Sequence, residues 1–144
     1  MKIRKVRRTL IAAALVAGLS LPVSVMAVDR SELPTPIVEL MPHVQKLGDS
    51  LNLTAEQKKT LDAWMAEAPA RREALEDEYL AIRAELREAI LKRDERLNRE
   101  RLIAHLAEKD KQLTQMRSLC ARMLEDTLSA EQYQKVVESY RSSL

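Results

Sequence analysis

Phenylalanine is absent from this chain, tryptophan occurs once, and aromatic residues make up 3% of the 144 positions. So little aromatic bulk cannot fill a deep globular core, so a thin, extended architecture in one domain is expected. Glycine is nearly missing as well, with Gly18 and Gly48 the only two. The glycine-rich turns that cradle phosphates therefore have nothing to be built from, which excludes nucleotide-loop enzymes. The two histidines, His43 and His105, lie far apart, and neither has a His or Cys three or four residues on. A zinc site draws three or four convergent ligands, and no such cluster is written here. The single cysteine, Cys120, falls in mid-helix, without a helix N-terminus to lower its pKa or an identifiable oxyanion donor. No enzymatic activity and no cofactor are expected.

What the chain does have begins with an address label. Met1-Lys2-Ile3-Arg4-Lys5-Val6-Arg7-Arg8 is basic without an acid, an apolar run extends from Leu10 to Val25, and Val25-Met26-Ala27 ends it with small residues at the positions a signal peptidase reads. The expectation is a signal peptide over residues 1–27, cleaved after Ala27. An uncleaved anchor is the other reading, but the run is short against the roughly 20 apolar residues of a spanning helix. Cleavage removes five of the 24 Lys and Arg and none of the 22 Asp and Glu, turning a formal charge of +2 into about −3. The pI of 8.8 is thus largely a property of the precursor. No basic, aromatic-studded surface remains, so nucleic acid is not an expected partner.

Residues 28–52 read as an irregular lead-in and one short helix. Pro34 and Pro36 mark the irregular part, and Ile37, Leu40, Met41, Val44 and Leu47 then fall at helical spacing before Gly48. Pro42 is expected to kink or fragment that helix.

Residues 53–144 open with Leu53-Thr54-Ala55-Glu56-Gln57, and nearly the same word returns as Leu128-Ser129-Ala130-Glu131-Gln132. Each spells a helix start. The Thr54 or Ser129 hydroxyl can accept from the N–H three residues on, while Gln57 or Gln132 reaches back to the cap N–H, a capping box. Glu56 and Glu131 stand in the first turn, where the helix dipole favours negative charge. Leu128 and Tyr133 occupy hydrophobic-staple positions that Lys58 spoils in the first copy.

Between the words run two apolar stripes. Leu61, Met65, Ala68, Arg72, Leu75, Tyr79, Ile82, Leu86, Ala89 and Arg93 step by four and three, and the step recurs through Leu102, Leu106, Lys109, Leu113, Met116, Cys120, Met123 and Thr127. Two helices that each bury one seam predict an antiparallel hairpin reversing over residues 92–98, with Asn98 or Asp94 capping the return. Pro69 predicts a bend, or a break, between segments 55–68 and 70–93. A last helix over residues 130–142, with Tyr133, Val136, Val137 and Tyr140 on one face, should fold back on the pair. The fold class expected is all-α: four helices in an elongated, hooked antiparallel hairpin.

The export signal, the two words and the long charged helices between them resemble the LTxxQ family of bacterial periplasmic proteins, the Spy and CpxP type, over about residues 47–141. The resemblance implies a periplasmic, cradle-shaped homodimer acting as an ATP-independent chaperone for unfolded envelope proteins, or as an adaptor restraining an envelope-stress sensor kinase. Stable membrane insertion is not expected after cleavage. Related members bind or sense zinc, nickel and cobalt, which makes a metal-binding or metal-sensing protein the alternative. Two departures stand out: Ser129 replaces the usual Thr, and no segment is rich in His.

Beside the resemblance, amphipathic helices too thin to bury all their apolar surface must pair with another subunit or expose grooves. Arg72, Arg93 and Lys109, set among Leu and Met in the seams, are candidates for a client surface that combines charge with apolar stems. They also fit the plainer role of rimming the hairpin with solvated heads, as the Glu88–Lys92 pair plainly supports its helix. Met116, Cys120 and Met123 share one face and could offer soft sulfur ligands, with His43 and His105 the remaining metal candidates. The same three are consecutive seam positions, where Met and Cys are ordinary fillers, and Cys120 could equally crosslink two subunits.

Overall fold

The computed structural model describes residues 30–144 except Asp94; the signal-peptide reading of residues 1–27 lies outside them. Four α-helices follow one another: α1 Met41–Leu47, α2 Ala55–Leu91, α3 Arg96–Thr127 and α4 Ala130–Arg141, with 3-10 turns at Arg30–Glu32 and Gly48–Leu51. No strand occurs among the described residues, whose regular structure is all helical.

At 1.5 Å per residue α2 is about 56 Å long and α3 about 48 Å. These two helices make the most extensive contact of any pair of elements. Cross-links Glu85 to Arg101, Glu78 to Lys109 and Glu76 to Arg117 run in opposite sequence directions, as between antiparallel neighbours. The 4–3 spacing explains the pairing: every seam residue of α3 from Leu102 to Thr127 is buried or half-buried, and so is every seam residue of α2 from Leu61 to Ala89. Leu80, off the stripe, is buried too.

Four local expectations are corrected. Arg93 leaves the seam: α2 stops at Leu91, and Arg93 sits exposed in the reversal with φ 55°, its N–H bonded to the Ile90 carbonyl at 3.2 Å. Glu95 holds the N-cap position of the returning helix without a side-chain cap hydrogen bond, and Asn98 lies inside its first turn; Asp94 is outside the described residues. Of the two readings of Pro69, a bend or a break, the break is overturned, because α2 is helical from Ala55 to Leu91. A proline removes one donor and crowds one carbonyl, a cost of about 3 kcal/mol that the long packed seam on either side outweighs. Pro42 neither kinks nor fragments α1, because the helix starts at Met41 and the proline falls in its first turn, where the missing N–H would have had no partner anyway. Gly48 ends α1 at φ 48°, which the absence of a Cβ permits.

The densest burial lies where the two words meet. Leu40, Val44, Leu51, Leu61, Leu124, Leu128 and Val136 form one cluster, drawn from all four helices and their connections. Leu124 and Val136 are 0% exposed. The α4 helix packs on α1 as well as on α3, with half-buried Tyr133 and Tyr140 flanking Val136. At the opposite end the helices thin out, leaving Leu91 70% and Leu97 76% exposed. Leu124→Ala is therefore expected to lower stability by about 2–5 kcal/mol. The exposed Leu119→Ala should stay within about 0.5 kcal/mol of wild type, both read from urea melts by circular dichroism.

Candidate functional site

The two glutamines of the repeated words do more than cap. In the first word the Thr54 N–H donates to Gln57 Oε1 at 2.9 Å and the Gln57 N–H to Thr54 Oγ1 at 3.2 Å; in the second the Ser129 N–H donates to Gln132 Oε1 at 2.8 Å and the Gln132 N–H to Ser129 Oγ at 3.2 Å. Both capping boxes are complete. Each amide then uses its NH2 group on the other word. Gln57 Nε2 donates to the Thr127 carbonyl at 3.0 Å and to Gln132 Oε1 at 2.8 Å. Gln132 Nε2 donates to the Leu51 carbonyl at 2.9 Å and to Gln57 Oε1 at 3.3 Å. Asn52, held at φ 51° with its N–H on the Asp49 carbonyl, turns the chain so that Leu51 meets this donor. Thr54, Gln57, Ser129 and Gln132 thus form a reciprocal clasp with approximate two-fold character, directly over the buried cluster to which Leu53 and Leu128 contribute.

Beside the clasp lies an apolar groove of about 260 Å³. Val38 and Met41 wall one side, Trp64, Met65 and Pro69 of α2 the second, and Met116 and Cys120 of α3 the third. Pro69 has no N–H, so the Met65 carbonyl beside it loses its intrahelical donor. Arg72 and Arg117 stand at the rim. Arg72 Nε lies 3.3 Å from Glu76 Oε1, and Arg117 Nη1 lies 2.6 Å from Glu39. Burial pushes the half-buried Cys120 thiol above its ordinary pKa, and the nearby Arg117 and Arg72 charges only partly offset this. That is the opposite of an activated nucleophile.

The lead-in crosses the helix pair as a strap held by charge. Arg30 bonds Glu76 at 2.5 Å, Asp77 at 2.8 Å and Glu73 at 3.2 Å, while Glu32 accepts from Arg83 at 2.9 Å and also from Arg87. Glu76 is the shared acceptor, with Arg30, Arg72 and Arg117 all turned to it. The Arg87 and Arg83 guanidiniums hold Glu32 below the usual carboxylate range. Apolar contact contributes little at the near end, where Ile37 is 72% exposed.

The residues singled out from sequence are dispersed over these features. Of the three candidate client cations, Arg72 reaches the groove, Lys109 is spent on Glu78, and Arg93 is at the far reversal. His43 Nδ1 lies 2.9 Å from Ser139 Oγ and its ring meets Tyr140 edge-on at 5.6 Å, whereas His105 is exposed on α3. No group of three or more His, Cys, Asp or Glu among the described residues could hold a metal ion. Met116 and Cys120 share the groove; Met123 packs into the core cluster and accepts from Thr127 Oγ1 at 3.7 Å. Met41, Trp64, Met65 and Arg117 were not foreseen at this site. The single tryptophan was the one available pointer, since Arg117 falls beside the seam, half-buried and paired with Glu39 of the lead-in. No described helix is long and apolar enough to cross a membrane.

No protein-family model, curated protein or solved structure matches the chain. The likeness to the LTxxQ family rests on the residues of the two words themselves.

Two outcomes are expected. Gln132→Glu keeps an oxygen to accept from the Ser129 N–H but loses the donor to Leu51, so it should destabilise by about 1–3 kcal/mol despite an intact box. Its effect should combine non-additively with Gln57→Glu in urea melts, by at least about 0.5 kcal/mol. The strap should respond to acid. Because the Glu32 pKa is depressed by docking, docking is favoured above the ordinary value of 4.5 and is lost as pH falls through the depressed one. The Arg83 and Arg87 Nε–H resonances should move in that window by NMR, and should not do so in Glu32→Gln.

Proposed function

We propose that the chain is an exported binding protein without chemistry: an ATP-independent holdase or envelope-stress adaptor of the bacterial periplasm. Its clients are apolar segments of unfolded envelope proteins. The observation that carries this reading is the open groove built from three separate elements, apolar at its floor and rimmed by Arg72 and Arg117. Methionine suits such a floor, because an unbranched thioether repacks around side chains of different shape. The rim cations are already paired, Arg72 with Glu76 and Arg117 with Glu39 and Glu76, so the grip on a client rests on the apolar floor.

In this reading the paired helices are the elongated, hooked hairpin of the LTxxQ type, and two chains assemble into a cradle. The exposed Leu91 and Leu97 at the reversal extend the sticky surface beyond one groove. Such a surface captures without nucleotide and releases when the client buries its own apolar side chains.

Equimolar protein is expected to suppress light scattering by an unrelated, thermally unfolding client. Met65→Glu, at a half-buried groove position, should abolish most of that protection with unchanged helicity, while Leu119→Glu on the exposed face should retain it. Failure of the wild-type chain to slow aggregation at equimolar ratio sinks the holdase reading.

A further inference from the structure

Sulfur is concentrated in one place. Met41 from α1, Met65 from α2, and Met116 and Cys120 from α3 all line the apolar groove, so three of the four described methionines and the only cysteine converge on a volume of about 260 Å³. None of the four is fully buried: Met41 and Cys120 pack against the edge of the leucine and valine cluster from their groove positions, and the fully buried residues are Leu, Val, Ala and Tyr. All four residues are half-buried and line the open groove.

The donors that would attract harder ions are elsewhere. His43 is engaged with Ser139 and Tyr140, and His105 is exposed on α3. The charged side chains lining the groove are Glu39, Arg72 and Arg117, and each guanidinium already faces a carboxylate: Arg72 that of Glu76, Arg117 those of Glu39 and Glu76. What remains is thioether and thiol, the ligand set that selects soft d10 ions over zinc or nickel.

We propose that the groove binds one soft monovalent ion, cuprous copper or silver, through the Cys120 sulfur and the thioethers of Met116, Met65 and Met41. On binding, the Cys120 S–H bond is exchanged for a sulfur–metal bond and the proton passes to solvent. Thiolate and monovalent cation cancel, so no net charge is added to the apolar site, and no change of oxidation state is involved. The inference is independent of the holdase reading, since a chain that holds no client can still bind the ion.

The test uses the chain expressed from Met1 and purified in the form the cell yields. Cu(I), supplied anaerobically as its acetonitrile complex, is titrated against bicinchoninate while Trp64 emission is followed, the only tryptophan lying in the same groove. One equivalent should leave the probe, with Trp64 quenched at the same midpoint and an excess of zinc without effect. Cys120→Ser and the near-isosteric double variant Met65→Leu/Met116→Leu should each weaken binding by at least about tenfold, the scale on which even outer ligand-shell losses register. Met123→Leu should match wild type. Retention of all copper by the probe overturns the proposal. So does a double variant that stays helical by circular dichroism and binds as well as wild type, because Cys120 would then act alone. Equal weakening by Met123→Leu overturns the assignment to this groove. If Cys120→Ser does not fold, the double variant still decides.

Discussion

Two primary amides facing each other hold this molecule together. Gln57 and Gln132 each begin a helix, and each satisfies a backbone carbonyl just ahead of the other's helix. A glutamine side chain has two donors and one acceptor oxygen with two lone pairs, and here nearly all of that capacity is used. The oxygen receives the cap N–H and the partner amide, while the NH2 serves a carbonyl and the partner oxygen. Helix initiation and tertiary closure are therefore one event. Removing either amide strands polar groups in a half-buried place, where the cost exceeds the net value of an ordinary hydrogen bond.

Everything else is arranged around that junction. The α2 and α3 seams bring the words together, α1 and α4 roof the cluster beneath them, and the groove opens where α1 fails to cover the floor between α2 and α3. A second layer of organisation is ionic. The strap is fixed by Arg30, Glu32 and Glu39 to cations and carboxylates of the helix pair, mostly at exposed positions. Single pairs of this kind contribute about 0–1 kcal/mol, so their sum depends on salt and pH in a way the leucine cluster does not.

The parts of the structure legible in sequence are those governed by local chemistry and strict period. Both capping boxes, the seam positions from Leu61 to Ala89 and from Leu102 to Thr127, the Gly48 stop and the face of α4 could all be read from neighbours within one or two turns. The misreadings have a common source. Intrinsic grounds make Pro42 a kink or breaker and allow Pro69 a full break, whereas the consequence of each depends on where the helix begins and on what packs beside it. Arg93 fitted the seam by number, but the helix ended before reaching it. Nothing local could show that Gln57 and Gln132 bond each other, although their shared word did pose the question. The groove was illegible for the same reason: Met41, Trp64 and Arg117 gain their roles only when a strap lying outside the periodic pattern settles on the helix pair.

The uneven distribution of burial also sets the mechanics of the molecule. With the leucine cluster and the amide junction gripping one end, and the narrower Ala89 and Leu102 seam joining the arms near the other, α2 is a lever arm about 56 Å long. One degree of angular play at the gripped end displaces the free end by about 1 Å. On such a lever any change of angle at the base is read out as a displacement of the exposed Leu91 and Leu97, so reach at the tip is set by fit at the base.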